Sequence, residues 1–233
     1  MILGYEDFIS ALKEAGFSMS GPNAQGMYSI VNWSWNETPP YATPVRWHTG
    51  NLNTDPWEWR MRVLEERHDI AYSKLFFKKS GYITAEWYPY FLAVRRHGRS
   101  FDAMYLDGLL SHDAKLIYDV VKKQGAVPLH TIKIMSGLDG KEHKAKFDHA
   151  LTELQTHMFI TMCARQQKVS QTGKAYGWFS TVFCTAEEFW EDDIFEKAAL
   201  LKTEDASNAI RAQVLKLTPD ANSKTVTRFI EGR

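Results

Sequence analysis

The sequence predicts a mainly α-helical fold with one small antiparallel β-hairpin: a winged helix-turn-helix core with helical N-terminal and C-terminal extensions. Three observations carry this. Apolar residues recur at helical spacing through most of the chain, and three such patterns follow closely between residues 109 and 158. Two β-rich runs, 159–165 and 175–184, then enclose a polar tip. The implied division is an aromatic-rich helical region at 1–106, a winged-helix domain at 107–184 and a helical extension at 185–233.

Each element has its own signal. Tyr5 to Ala15 reads as a short amphipathic helix stopped by Gly16. Residues 18–54 are irregular, with Trp33, Trp35, Tyr41 and Trp47 among prolines and glycines, as expected of a long loop packed onto a domain. Asp55-Pro56 opens a helix by supplying a cap and a first-turn proline. Its pattern continues to about Lys79, with Ser80-Gly81 as the stop, a rod of roughly 35 Å. Tyr82 to Val94 contains a short aromatic helix near Pro89, and Arg95 to Ser100 reads as a basic turn. Ser111 caps the next helix and Gly125 ends it. A short strand or turn at 126–129, a helix at 129–136 and a helix at 139–158 follow, the last with Phe147, Leu151, Leu154 and Met158 inward. After the hairpin come helices at about 187–201, 204–217 and 219–230.

Composition sets the outer limits. With 233 residues, 44% of them hydrophobic and 24% charged, the chain can bury a substantial core and is ordinary for a globular protein. The 28 basic and 28 acidic side chains cancel, so any cationic surface must be local. Such a bias exists between Lys133 and Lys174, whereas Glu187, Glu188, Glu191, Asp192, Asp193 and Glu196 turn the balance acidic beyond the hairpin. No run approaches about 18 uninterrupted apolar residues, so no membrane span is expected. The first residues lack a signal-peptide pattern, which implies the cytoplasm. With a turn near Ser170, Cys163 would oppose roughly Gly177 and leave Cys184 out of register, so no disulfide is expected. His143, His149 and His157 do not share ligand spacing, and no CxxC, HExxH, GxGxxG or phosphate-binding loop occurs. No metal or cofactor is expected.

Four constellations are candidates for function. On helix 139–158, Lys141, Glu142, Ala145, His149 and Thr152 point outward, flanked by Lys144 and Lys146. Small or polar residues with lysines at the margins suit a major groove. The hairpin tip carries Arg165, Gln166, Gln167, Lys168 and Lys174, which suit a backbone or minor groove. Arg60, Arg67, Lys74 and Lys78 form a basic stripe on the long helix, equally the charged border of a half-buried rod. Finally, Trp47, His48, Asp55, Trp57, Glu58, Trp59 and Arg60 can line a pocket for a planar ligand such as an extruded base. There the indoles would stack, and Asp55, Glu58 or His48 would carry the acid–base chemistry.

Residues Phe147 to Gln155, followed by the strand residues Ala175-Tyr176-Gly177-Trp178, resemble the AlkZ/YcaQ-like winged-helix family of bacterial DNA glycosylases. Trp47-His48-Thr49-Gly50, Asp55-Pro56-Trp57-Glu58-Trp59-Arg60 and Tyr88-Pro89-Tyr90-Phe91 look like its short AlkZ-related branch. The resemblance covers residues 45–230. It implies tandem winged-helix modules around a DNA-binding concavity, double-stranded DNA as partner, a role in DNA repair, and hydrolysis of the N-glycosidic bond of alkylated or cross-linked bases. The family's Gln-apolar-Gln catalytic motif has no counterpart: Gln25-Gly26-Met27 does not fit it, and Gln166-Gln167 lie in the hairpin. The scaffold therefore carries over further than the activity. The alternative is a non-catalytic winged-helix protein that contacts or regulates another protein.

Overall fold

The computed structural model describes residues 1–233 except 34, 35, 37, 39, 170–174, 191 and 192; at 168, 169, 175, 176 and 178 it describes the backbone alone. In chain order the elements are α1 (Tyr5–Ala15), β1 (Phe17–Met19), α2 (Pro56–Glu66), β2 (Ile70–Phe76), β3 (Lys79–Thr84), α3 (Tyr88–Arg96), α4 (Phe101–Leu106) and α5 (His112–Gln124). They continue with β4 (Val127–Pro128), α6 (Leu129–Met135), a 3-10 turn (Lys141–His143), α7 (Lys144–Thr156), β5 (Ile160–Val169) and β6 (Ala175–Thr185). The chain closes with α8 (Ala186–Phe189), α9 (Asp193–Leu200), α10 (Thr203–Leu217) and α11 (Ser223–Glu231).

The expected mainly helical fold with a single small hairpin is overturned. Among the described residues the strands form one six-stranded antiparallel sheet, in the order β1-β3-β2-β5-β6-β4, and the protein is mixed α/β. The rod expected from Pro56 to Lys79 ends at Glu66. Beyond it Arg67 turns extended and grips Asp69 through two bonds of 2.8 and 2.6 Å. Residues 70–84 form the β2–β3 hairpin instead, through a two-residue turn at Phe77-Lys78 with φ of 49° and 60°. That turn normally announces itself as Asn-Gly or Asp-Gly, because both positions need positive φ; here no such marker stands. Strand β2 is buried on both faces, which removes the alternation that would distinguish it from a helix. Gly81 is no helix stop. It lies in β3 opposite Met19 and Ser73, where a Cβ would come within 2.6 Å of the Phe76 ring and 2.8 Å of the Ser18 carbonyl. The basic stripe dissolves accordingly, its members divided between α2, the Arg67–Asp69 turn, β2 and the Phe77-Lys78 turn.

Three apolar clusters hold the layers together. One joins α1, α2, β2 and β3 around Trp59, Phe8 and Tyr82. A second fills the unit from α4 to β6 around Phe147, Ile117 and Phe183, and takes in Phe101 and Met104 from before residue 107. The third packs Phe17, Phe76 and Phe91 against Val214, Val226 and Phe229, so the C-terminal helices return onto the first hairpin. The two hairpins meet at one ladder pair, Tyr72 opposite Met162. Beyond it the edge of β2 is satisfied by Gln155 of α7, whose buried Oε1 accepts from Ser73 Oγ (2.9 Å) and the Lys74 amide (3.0 Å).

Arg95 and Arg96 do not belong to a basic surface turn. Both are buried at the end of α3. Arg95 donates to the carbonyls of Thr156 (3.1 Å), Phe229 (3.2 Å) and Ile230 (3.0 Å), which lie in the last turns of α7 and α11. Arg96 donates to the carbonyls of His157 and Met158 and pairs with Glu187 at 2.6 Å. Both guanidiniums thus sit where helix ends concentrate unpaired carbonyls and negative partial charge.

Burial, and then the charge of Arg95, holds the His157 imidazole below its ordinary value of 6.5. Between that depressed value and 6.5 the unfolded chain binds a proton that the folded chain resists. Stability therefore falls as pH drops through this window, and the loss is absent above it. His157→Gln is expected to flatten the fall in urea midpoint below pH 6.5. Wild type and variant sharing one pH slope would contradict the assignment.

Candidate nucleic-acid interface and aromatic cleft

Helix α7 is fixed by its inner face. Phe147, Ala150, Leu151 and Leu154 are buried and pack in the cluster shared with α5, which Ser111 caps by accepting from the Ala114 amide. This leaves Lys141, Lys144, Ala145, Lys146, Asp148 and His149 exposed. Lys133 of α6 adds a cation nearby, its Nζ 5.0 Å from the centre of the Phe147 ring. No side chain caps the start of α7, which continues from the 3-10 turn with the Lys144 amide donating to the Lys141 carbonyl, and the positive end of its dipole lies beside the lysines. The acids are partly drawn away. Glu142 folds back over Gly140, 3.8 Å from His143 Nε2, and Glu153 accepts from the Ser111 hydroxyl at 2.5 Å. Thr152, expected outward, is buried and donates to the Asp148 carbonyl at 2.7 Å, because α7 packs on β2 as well as on α5.

The hairpin residues fall into different environments. Arg165 pairs with Glu58 (3.2 Å) and Glu65 (2.8 Å) and lies 5.0 Å over the Phe179 ring. It fastens β5 to α2 rather than standing free for phosphates. Gln166 is exposed, while half-buried Gln167 donates to the Gly177 carbonyl at 3.1 Å. The Lys168 side chain and Lys174 lie outside the described residues. The ladder sets Ile160 opposite Thr185 and Arg165 opposite Thr181, so the expected facing of Cys163 and Gly177 is also corrected. Two register shifts, which sequence periodicity does not reveal, displace the pairing, the first a β-bulge between Met162 and Ala164. Both cysteines are free, and the Cys163 thiol donates to the Val182 carbonyl at 3.6 Å; the proximity of the two thiols lowers the pKa of Cys163 and raises that of Cys184.

The N-terminal aromatic segment separates into a cap, a core and a cleft. Asp55 is fully buried, and its carboxylate accepts from the amides of His48 (3.0 Å), Gly50 (2.8 Å) and Trp57 (2.8 Å). It caps α2 and also folds the loop at 48–50 back onto the helix start. Trp59, expected in a pocket, has no exposure and stacks on Phe8 at 5.0 Å. Trp47, His48 and Trp57 do line one open cavity of about 390 Å³, together with the loop at 20–23 and Lys79-Ser80. The Trp47 indole is held by a 3.0 Å bond to the Trp33 carbonyl, and the His48 and Trp57 rings are 4.9 Å apart. Arg60 lies beside rather than inside the cavity, its guanidinium carbon 3.2 Å from the centre of the Trp57 ring. Asp55 and Glu58 are not among the lining residues. Lys79, Ser20 and Ser80 escape sequence reading because they reach the cleft only through the β1–β3 pairing; nothing local marks them.

Among the described residues no group of three or more potential ligands is placed to hold a metal ion, and no helix is long and apolar enough to cross a membrane.

The fold and site define a mixed α/β protein. An exposed cationic helix start lies at α7, and an aromatic cleft lies beside α2. Residues 2–231 match the model of the family described as AlkZ related, and the chain belongs to that family. No curated protein and no solved structure matches the chain.

Proposed function

We propose that this AlkZ-related protein binds duplex DNA through the start of α7, with the unit α5-β4-α6-α7-β5-β6 acting as a winged helix and α7 as its recognition helix. The observation that carries this reading is the exposure of Lys141, Lys144 and Lys146 together at the start of α7. The lysines that do pair with carboxylates among the described residues are Lys13, Lys115 and Lys197, all elsewhere. Family membership supports the same reading through the relation to AlkZ DNA glycosylases. Recognition is the role assigned here rather than chemistry by Asp55 or Glu58. A general base needs a carboxylate free to take a proton within reach of the reacting group. Asp55 spends its oxygens on three backbone amides, and Glu58 is paired with Arg165. A mobility-shift series at low salt tests the proposal: wild type retards a duplex, and Lys141→Ala/Lys144→Ala/Lys146→Ala does not. Equal retardation by both proteins refutes it.

A second reading, a protein docking on this unit, is favoured by Ile134 (64% exposed) and Met135 (47% exposed) at the end of α6. Self-association in light scattering, with no retardation of DNA, would support it instead.

A further inference from the structure

The aromatic cleft has features that duplex binding by α7 does not use. Trp57 is 43% exposed and shares the 390 Å³ cavity with Trp47 and His48. That volume lies within the range of small-ligand sites, about 300–1,000 Å³. The cavity is built before any ligand arrives. Asp55 ties down the amides of His48 and Gly50, and His48 is held at φ 61°, a left-handed conformation costly for a residue with a Cβ. Its charge is one-sided. Lys79 lines the cleft, its ammonium donating to the Gln25 amide oxygen at 3.3 Å beside it, and no carboxylate lines the cavity among the described residues. The hydroxyl-bearing residues Ser20 and Ser80 complete the polar side.

Two indoles and an imidazole favour a flat ring, and an ammonium with hydroxyl-bearing residues favours an anion attached to it. We propose that this cleft binds one unpaired nucleotide, its base among Trp47, His48 and Trp57, whose other contact is the Arg60 guanidinium, and its phosphate at Lys79. Stacking on aromatic side chains beside a cationic track is how proteins hold single-stranded nucleic acid without reading its sequence. This proposal goes beyond duplex binding by the lysines of α7 and does not depend on it.

The test is fluorescence anisotropy of a labelled single-stranded oligodeoxyadenylate at low salt, with dAMP as competitor and circular dichroism to check each variant's fold. Wild type is expected to bind the oligomer. Trp57→Ala should weaken binding by about tenfold or more, the loss expected when a stacking face is deleted, and Lys79→Ala should weaken it by a smaller factor. Competition by dAMP would assign the cleft to the free nucleotide as well as the strand; oligomer binding that dAMP leaves unchanged would assign it to the strand alone. An oligomer that does not bind, or one whose affinity is the same for Trp57→Ala and wild type, overturns the proposal. If affinity falls only in the α7 triple-lysine variant, the cleft is likewise refuted while the duplex reading stands.

Discussion

Arg95→Met is expected to lower the unfolding free energy by about 3–5 kcal/mol, measured by urea denaturation followed by circular dichroism. Methionine fills much of the same volume and keeps the contacts with Phe76 and Phe91, whose ring centres lie 5.5 and 5.2 Å from the guanidinium carbon. What disappears is the fork that serves Thr156, Phe229 and Ile230. The carbonyls of Thr156 and Ile230 would then lose this donor, Phe229 would keep only the Gly232 amide at 3.3 Å, and each buried unsatisfied group costs about 1–3 kcal/mol. Because Arg95 joins α3 to α7 and α11, the loss would also loosen the C-terminal helices from the first hairpin. Arg95→Lys is expected to recover only part of the stability, since one ammonium cannot span three carbonyls in the fork geometry. A change below about 1 kcal/mol for the methionine variant would contradict the clamp.

Asp55→Ala is expected to cost about 3–4 kcal/mol, more than the ~1 kcal/mol of an ordinary helix cap. The difference comes from the two loop amides, those of His48 and Gly50, which lose their acceptor along with that of Trp57. Asp55→Asn should fall between wild type and alanine, because one amide oxygen cannot replace both carboxylate oxygens. The structural role also predicts that His48 and Trp57 become less ordered relative to one another. Equal stability of wild type and alanine variant in urea titration would sink it and reopen Asp55 as a catalytic acid or base.

The legible and illegible parts of this chain differ for physical reasons. The cap at Asp55-Pro56, the Ser111 cap and the Phe147 face of α7 are local: each depends on residues a few positions apart, and each stands in the structure. The family was legible too, in Trp47 to Arg60 and Phe147 to Trp178, and the match across residues 2–231 bears it out. The β2–β3 hairpin was not legible, because a strand buried on both faces has no period and its Phe77-Lys78 turn carries no glycine or asparagine. That omission cost the sheet. Arg95 and Arg96 read as part of a basic turn because nothing nearby in sequence shows that α7 and α11 end over Arg95 or that the residues after α7 lie over Arg96. Of the aromatic candidates, Trp47, His48 and Trp57 meet in the cleft, whereas Trp59 turns to the core and Arg60 lies alongside. Arg165 was expected to be free and is instead neutralised by Glu58 and Glu65, acids that lie about a hundred positions earlier.

The most direct test is the salt dependence of duplex binding, followed as fluorescence anisotropy of a labelled duplex across a range of monovalent salt. If Lys141, Lys144 and Lys146 each neutralise a phosphate, the plot of log affinity against log salt for the triple alanine variant should be shallower than wild type by about 2.7, or 0.9 per contact. Parallel plots, or wild-type binding insensitive to salt, would show that α7 does not lie on the phosphate backbone.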